Sequence, residues 1–429
     1  MILSKKLMVV LAILCVHTVV WSKELQSLNI MFVVAYFPAP SQTYILNMMT
    51  GLIDKGHKIS IFALRKNDVV GQSNIAKYGL MDVVMYEKLP EELPECDIIF
   101  CQSGTLGRKF IEMEGLTEWL EGKKLVVCLR GGDVTSYCFT EKPEIYEKIF
   151  RRGDLFLPVC EYFKKKLIGL GCDPHKVVVH HSAINCSKFF FKERKMGNKK
   201  QAFINLVSVC RLVQKKGLHF ALEAVAEVLK KYKNIHFTIV GDGHYQRPLK
   251  KLVQELGIGK KVTFFGWGTQ DQVVKVLNNA HIFLSPSVQS TRGEEEGIAN
   301  SLKEAMAMGL ISIGTWHAGT PELIEDKVSG FLVPERSSRA IAKKIKYIIK
   351  HPEIWKSIGL AARKKVEDEF EIKKAIEHLE TLFYGLIECN ENKTGENKTE
   401  TIKMEENNVE ENNIEQDIEQ DLEQDNVTE

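Results

Sequence analysis

Two glutamates in the C-terminal half have a spacing that suggests chemistry. Seven residues separate Glu296 from Glu304, and Gly297 with the small residues after it predicts a helix over Ile298–Met308. Eight helical steps rise about 12 Å and turn about 80° beyond two full turns, so both carboxylates can lie near one face. This suits an elongated polar ligand, such as a sugar joined to a nucleotide, with phosphates at the helix N-terminus. Alternatively, Glu296 belongs to an acidic loop and Glu304 is an ordinary surface residue.

A basic turn precedes these glutamates in the sequence. Arg211-Leu-Val-Gln-Lys-Lys216-Gly217 stands where a predicted strand becomes a helix. Two fixed cations at a strand end fit a diphosphate leaving group, the guanidinium as a two-pronged donor and the ammonium as a point charge. Lys215 is as eligible as Lys216 for this role, and a solvated basic loop is the alternative.

Three more loops follow predicted strands. Val240-Gly-Asp-Gly243 is a glycine turn that permits close backbone approach, a weak signal on its own. In Phe37-Pro-Ala-Pro-Ser41-Gln-Thr43, Ser41 is the expected N-cap of a helix, and the loop can present backbone amides to an anion. Arg130-Gly-Gly-Asp133 places two glycines between two charges and indicates either a ligand loop or a salt-bridged turn.

These loops require a scaffold of parallel strands. Apolar runs that alternate with amphipathic segments predict sheets covered by helices on both faces. The polar, basic segment 189–201 separates two such series and is predicted to be a linker. The fold class is therefore α/β, with two Rossmann-like doubly wound domains, 23–188 and 202–387, facing a central cleft. The predicted strands are Leu28–Tyr36, Lys58–Leu64, Asp97–Cys101, Lys124–Leu129, Leu155–Val159, Val177–His180, Phe203–Cys210, Ile235–Val240, Val262–Phe265, His281–Ser285, Leu310–Gly314 and Gly330–Val333.

Composition bounds the class of protein. Of the 429 residues 44% are hydrophobic, which excludes wholesale disorder. The net charge of +2 is the sum of two unequal parts. Residues 388–429 form an acidic tail with 15 Asp and Glu against 3 Lys, and the rest of the chain has a net charge of +14. A basic body favours an anionic ligand or surface, but no arginine-rich stripe indicates nucleic acid. The ten cysteines contain no C-x-x-C pair and are interpreted as buried thiols.

The two ends of the chain are atypical of a globular domain. Lys5 and Lys6 precede an apolar run of 15 residues, short for a membrane span and typical of a signal-peptide core. Residues 1–22 are thus either a cleaved signal, which implies export, or a retained anchor, which implies association with the cytoplasmic face of a membrane. Residues 388–429 are predicted to be a disordered tail.

Taken together, the motifs resemble those of retaining glycosyltransferases of family 4, which have the GT-B fold, and most closely the colanic-acid and exopolysaccharide type. The resemblance covers roughly Leu28 to Ile387. Besides the loops above it rests on Phe265-Gly-Trp267, Pro286-Ser287, Glu296-Gly-Ile, Lys303-Glu-Ala-Met-Ala-Met-Gly309, His317-Ala-Gly-Thr-Pro-Glu322 and Gly330-Phe-Leu-Val-Pro334.

The resemblance implies roles for the matching residues. Arg211 and Lys216 would hold the donor diphosphate, and Glu304 the ribose hydroxyls. Glu296 would contact the transferred sugar. The backbone amides of Gly297, Ile298 and Ala299 would face sugar and phosphate, with Gly243 and Gly266 also near the nucleotide, Gly266 beside the base. Ser41, Arg130 and Asp133 would complete the site from the N-terminal domain. Such enzymes need no metal or cofactor.

The chain also departs from the family pattern. Arg130 stands where many members have a histidine that contacts the donor sugar, and Arg130 cannot act as a base at neutral pH. Gln42 replaces a usual Glu, and Ala183 and Asn185 replace Gly and Asp. The expected activity is transfer of a hexose from a nucleoside-diphosphate sugar to a carbohydrate or lipid-linked acceptor, with a membrane surface as a further partner and no nucleic acid. A catalytically silent glycan- or nucleotide-binding relative and a secreted two-lobed solute-binding protein are the alternatives.

Overall fold

The chain builds two parallel β-sheets, seen in a computed structural model that describes residues 26–39, 42–67, 73–88, 92–140, 143–196 and 203–394. Residues up to Ile387 form one compact unit, and Glu388–Glu429 are a second unit. The leader 1–22, Ser41 and the tail beyond Thr394 lie outside the described residues. Within the described ranges, no helix is long and apolar enough to cross a membrane.

Each sheet has six strands, and both have the same topology. The N-terminal sheet contains β1 (Asn29–Val34), β2 (Lys58–Ala63), β3 (Val84–Tyr86), β4 (Ile98–Cys101), β5 (Lys124–Leu129) and β6 (Leu155–Pro158). The C-terminal sheet contains β7 (Ile204–Val209), β8 (Ile235–Val240), β9 (Val262–Gly266), β10 (Ile282–Ser285), β11 (Ile311–Thr315) and β12 (Phe331–Val333). Their orders are β3-β2-β1-β4-β5-β6 and β12-β11-β10-β7-β8-β9. In each sheet the order reverses beside the first strand, where doubly wound sheets bind ligands.

Helices separate the strands. They are α1 (Thr43–Asp54), α2 (Ser73–Lys77), α3 (Gly104–Ile111), α4 (Ser136–Thr140), α5 (Glu147–Arg152), α6 (Glu161–Gly169), α7 (Leu218–Leu229), α8 (Gln246–Glu255), α9 (Gln270–Asn278), α10 (Asn300–Ala307), α11 (Thr320–Leu323), α12 (Ser338–Lys350), α13 (Trp355–Glu369) and α14 (Ile372–Thr394). In α7 the apolar residues recur every three or four positions and are buried, which is the pattern of a helix packed on a sheet by one face.

The predicted strands match the structure at most positions because they are apolar on both faces and buried. One prediction is wrong. Val177–His180 is not a strand: Val177 forms an isolated bridge with Phe156, and only the N–H groups of Val178 and His180 donate to β6 carbonyls before the chain turns toward the second sheet. The edge strand β3 was missed because three residues are too few to show a period.

The last helix returns to the N-terminal sheet. Leu379 and Phe383 of α14 are fully buried in the apolar cluster around β1, and the Phe383 ring packs edge-on against Phe100 of β4. Ile184 and Glu371 form an isolated bridge. The crossing α14 therefore ties the end of the C-terminal half to the N-terminal half.

Candidate active site

A cavity of about 390 Å³ opens at the carboxyl ends of both sheets. Loops after β1, β4 and β5 supply one wall, and loops after β7 and β10 supply the other. These are the points where the strand order reverses, so the fold itself places the cavity. Among its lining residues are Gln42, Tyr44, Gln102, Arg130, Asp133, Ser182, Arg211, Lys215, Glu296, Gly297, Ile298 and Asn300.

The basic turn after β7 brings three cations to the C-terminal wall. Arg211 is exposed and lines the cavity. Lys215 is buried and its Nζ donates to the Glu295 carbonyl at 2.9 Å. Lys216 Nζ lies 2.9 Å from Glu296 Oε2, and Lys215 Nζ lies 3.4 Å from the same oxygen. Both lysines that the sequence left as alternatives therefore contact Glu296.

Glycine fixes this turn against the loop after β10. Gly217 has a φ of +61°, and a Cβ added there would lie 1.9 Å from the Pro286 carbonyl oxygen. No side chain fits such an approach, so the basic turn and the Pro286 loop are held in direct backbone contact.

Glu296 is an ionised carboxylate enclosed by cations. Burial alone would raise its pKa, but Lys216, Lys215 and Arg211 together hold the pKa of Glu296 well below its usual range. Its backbone N–H donates to His317 Nε2 at 3.0 Å, and His317 Nδ1 lies 2.6 Å from Glu335 Oε1. Because Nε2 accepts, Nδ1 carries the proton and donates to Glu335. His317 thus orients the Glu296 segment, a role that its motif alone did not reveal.

The helix predicted over Ile298–Met308 begins later, so that prediction is wrong at its start. Residues 296–299 are extended, and α10 starts at Asn300. A Cβ added to Gly297 would lie 3.0 Å from atoms of both Val159 and Phe163, so packing against the N-terminal half holds the segment out of the helix. The argument from eight helical steps between the two glutamates therefore does not apply.

The extended segment leaves backbone donors free beside the cations. Among the described residues, the N–H groups of Gly297, Ile298 and Ala299 have no hydrogen-bond acceptor. They lie just before the N-terminus of α10, where the helix dipole also favours negative charge. Gly297 and Ile298 line the cavity together with Arg211 and Lys215, and this part of the cavity is suited to an anion.

Glu304 lies in α10, outside the residues that line the cavity. Burial raises the pKa of its carboxyl to about 7. In the described part of the chain this carboxylate has no hydrogen bond or ion pair. Two other predicted residues, Gly243 and Gly266, also lie outside the cavity lining. A Cβ on Gly243, whose φ is +156°, would meet the Leu212 carbonyl oxygen at 2.4 Å, so Gly243 packs against the basic turn.

The N-terminal wall is built on Asp133. Its carboxylate accepts backbone N–H groups from Arg130 at 3.0 Å, Gly131 at 2.8 Å and Gly104 at 3.1 Å. Asp133 therefore shapes the loop through these three hydrogen bonds. Its carboxylate also lines the cavity, with both oxygens accepting backbone N–H groups. The alternative of a salt-bridged turn is wrong, because the Arg130 guanidinium points to Ser182 and Gln102 instead.

Acidic side chains join the two halves across the cavity mouth. Glu295 accepts from Tyr162 Oη at 3.0 Å and from Lys166 Nζ at 2.5 Å, both in α6. Glu322 accepts the N–H groups of Glu161 and Tyr162 at 2.9 and 3.0 Å, which caps α6. Sequence reasoning missed both roles, since nothing in the acidic run 294–296 distinguishes the residue that reaches the other half.

Comparison with known proteins identifies the C-terminal half. Residues 189–365 match the family model described as glycosyl transferases group 1. The chain carries a glycosyl transferase group 1 domain. This domain contains Arg211, Lys216, Glu296 and Glu304, whereas Arg130 and Asp133 lie before it.

Full-length relatives place the group 1 domain in a glycosyltransferase. The amylovoran biosynthesis glycosyltransferase AmsK of Erwinia amylovora is 28% identical over 398 residues, covering 80% of this chain and 96% of AmsK. A protein of Salmonella typhimurium named for colanic acid biosynthesis, WcaL, is 28% identical over 396 residues with the same coverage. The protein is therefore a glycosyltransferase that resembles enzymes of exopolysaccharide biosynthesis.

Solved structures show the fold. HepE from Anabaena, solved in complex with UDP, has a TM-score of 0.68 at 14% identity and covers 83% of this chain and 100% of HepE. A glycosyltransferase from Rickettsia africae has a TM-score of 0.66 at 18% identity, with 84% and 99% covered. The group 1 domain and the N-terminal sheet together have the GT-B architecture that the sequence predicted.

Proposed function

We propose that the protein is a retaining glycosyltransferase of family 4 that moves a hexose from a nucleoside-diphosphate sugar to a carbohydrate or lipid-linked acceptor. The observation that carries this proposal is the Glu296 carboxylate, which lines one cavity with Arg211, Lys215, Gly297 and Ile298 and lies 2.9 Å from Lys216 Nζ. Cations and amides suit the departing diphosphate, and the carboxylate suits a sugar that becomes positively charged.

The diphosphate would lie between Arg211, Lys216 and the backbone of 297–299. These groups are preorganised, since Gly217 and the packing of Gly297 fix both loops. Donors aimed at charge that develops on the leaving oxygen stabilise the transition state without further reorganisation. Because fixed cations supply this charge stabilisation, we propose that turnover needs neither a metal ion nor a cofactor.

Transfer with retention is balanced without a protein nucleophile. The bond from the anomeric carbon to the phosphate oxygen breaks, and the diphosphate leaves with the electron pair. The acceptor oxygen bonds to the same face of the anomeric carbon, and its proton passes to the departing phosphate oxygen. Glu296 would stabilise the positive charge on the sugar between these events. Its depressed pKa keeps it ionised at neutral pH.

The nucleoside would extend from the diphosphate toward α10 and the end of β9. Glu304 would accept the ribose hydroxyls, a role that suits a half-buried carboxylate without a hydrogen bond or ion pair among the described residues. Gly266, the last residue of β9, would lie beside the base. Neither residue lines the cavity, so both contacts would form where the nucleoside extends beyond it.

The relatives named for amylovoran and colanic acid biosynthesis support a polysaccharide or glycoconjugate pathway for this chain as well. An acceptor of that kind is a carbohydrate or a lipid-linked sugar. We propose association with the cytoplasmic face of a membrane if residues 1–22 are retained, and export if they are cleaved.

A panel of UDP- and GDP-sugars tests the proposal. The protein is incubated with each donor and a nitrophenyl glycoside acceptor, nucleoside diphosphate release is measured, and the anomeric configuration of the product is read by NMR. We expect release with one donor, a retained configuration and an unchanged rate in EDTA. Sugar binding without affinity for nucleotides would instead support a solute-binding protein, and nucleotide-sugar binding without release a catalytically silent one. An inverted product would refute retention.

A further inference from the structure

Arg130 is a cation whose contacts are all uncharged. Its Nη1 donates to Ser182 Oγ at 2.6 Å, and its Nη2 donates to Gln102 Oε1 at 3.0 Å. The guanidinium carbon lies 4.4 Å from the centre of the Tyr44 ring. Tyr44, Gln102 and Ser182 line the same cavity as Arg130 itself.

No counter-ion accompanies this guanidinium. In the described part of the chain, no carboxylate oxygen lies within 4.0 Å of its nitrogens. Asp133, three residues on, is saturated by backbone N–H groups. Arg130 Nε is buried and has no acceptor. A partly buried cation without a counter-ion is costly, and in a ligand cavity its counter-ion is commonly supplied by the ligand.

A second unpaired cation adds to the positive charge of this wall. Lys303 of α10 is fully buried, and its Nζ donates to the Ser182 carbonyl and, at 3.0 Å, to Asn300 Oδ1. Arg130 and Lys303 thus converge on Ser182 from the two halves, with only neutral acceptors between them. Burial and the charge of Arg130 lower the pKa of Lys303 to about 7. Arg130 therefore makes the charge beside Ser182 positive, and Lys303 adds to it at pH values below about 7.

Two of the three cations on the diphosphate side differ in this respect. Lys215 and Lys216 already share the Glu296 carboxylate. Arg130 lies on the opposite wall, after β5, and has no such partner. A single guanidinium matches a monoanion such as a carboxylate, which it can bind through two parallel hydrogen bonds.

Resting on the proposed function, we propose that Arg130 binds a carboxylate on the reacting substrates, so that this glycosyltransferase acts on an acidic sugar. The carboxylate belongs either to the transferred sugar, as in a uronic acid, or to the acceptor. Either source supplies the negative charge that balances the positive charge beside Ser182.

Three matched substrate pairs, divided between a donor arm and an acceptor arm, distinguish the sources. In the donor arm, UDP-glucuronate is compared with UDP-glucose, and GDP-mannuronate with GDP-mannose. In the acceptor arm, nitrophenyl glucuronide is compared with nitrophenyl glucoside. Each is measured as kcat/KM for the full chain, for Arg130→Gln and for Arg130→Lys, with the melting temperature of each variant as the check on folding. Gln removes the charge, and Lys keeps it.

We expect the wild-type protein to prefer the acidic member of one arm by about ten- to a hundredfold, the range of one or two charge-assisted hydrogen bonds. Arg130→Gln should abolish that preference by slowing the acidic substrate, and Arg130→Lys should keep part of it. Preference in the donor arm identifies the transferred sugar, and preference in the acceptor arm identifies the acceptor.

Equal turnover of acidic and neutral members in both arms would overturn the role of Arg130 and leave the proposed function intact. Equal losses for both members in Arg130→Gln would also overturn it, because a structural role does not discriminate. Failure of every nucleotide sugar to bind or react would instead overturn the proposed function, and this inference with it.

Discussion

Replacing Glu296 with glutamine should separate binding from turnover. Gln keeps the volume of the side chain and removes the charge that Lys215 and Lys216 share. The proposed sugar contact is then lost where positive charge develops, whereas the cations that bind the diphosphate become free. We therefore expect kcat to fall steeply, and the affinity for UDP or GDP to hold or increase.

The distances set the size of the effect. At an effective dielectric constant of about 20, unit charges 2.9 and 3.4 Å apart attract by about 6 and about 5 kcal/mol. Desolvation offsets most of this, and the three side chains keep 10–17% exposure, so we expect Glu296→Gln to destabilise the fold by about 1–3 kcal/mol. A bound diphosphate restores a counter-ion for both lysines and should recover much of that loss.

The assay combines calorimetric binding of UDP or GDP, melting temperature with and without the nucleotide, and steady-state turnover. We expect UDP or GDP to bind three- to tenfold more tightly, and to raise the melting temperature more than in the wild type. We expect kcat to fall by about a hundredfold, within the range for loss of one transition-state contact.

Glu294→Gln is the matched control. It is the same substitution two residues away, on a carboxylate that has no ion pair among the described residues, and it should leave all three measurements unchanged. If Glu296→Gln weakens diphosphate binding as much as it slows turnover, the carboxylate organises the site and does not act on the transferred sugar. If Glu294→Gln is the crippling change, the assignment of this loop is incorrect.

Three further outcomes follow from the same site. Arg211→Ala should weaken UDP or GDP binding about ten- to a hundredfold and leave nucleoside binding unchanged, with Arg292→Ala as the exposed control; equal losses would place Arg211 away from the phosphates. Burial raises the pKa of Glu304 to about 7, so uridine or guanosine affinity should fall as pH drops below 7, and Glu304→Gln should lose this dependence and mainly raise the donor KM. Burial lowers the pKa of Lys303 from 10.5 to about 7, so between these values the unfolded chain holds a proton that the folded chain lacks, and wild-type stability should rise by up to about 1.4 kcal/mol per pH unit. The melting temperature of Lys303→Met should exceed that of the wild type most at pH 6 and least at pH 10; a constant difference would show that Lys303 does not titrate there.

The scaffold was predictable because it depends on local pattern. A strand such as Lys124–Leu129 is apolar at every position after Lys124, and only a sheet covered on both faces buries such a run. The basic turn and Glu296 were found for a related reason, since charges next to strand ends collect at one edge of a parallel sheet.

The rest depended on contacts between residues far apart in the chain. The start of α10 is displaced because Val159 and Phe163 press on Gly297 and His317 binds the Glu296 N–H. The three glutamates 294–296 look equivalent in sequence, yet Glu295 reaches Lys166 in the other half and Glu296 reaches Lys216. Local pattern carries no information on which way each side chain turns. The domain limits at 188 and 202 and the two terminal segments stay predictions.

Glu322 of the C-terminal half caps α6 of the N-terminal half, so the first turn of α6 is capped only while the two halves are in contact. While they are together, both carboxylate oxygens of Glu322 hold the N–H groups of Glu161 and Tyr162 at the start of α6. If the halves separate during turnover, those two N–H groups lose their acceptors and become exposed to water. Hydrogen–deuterium exchange at these two N–H groups therefore reports separation of the halves in the full-length protein. Nucleotide binding that holds the halves together should slow the exchange of both.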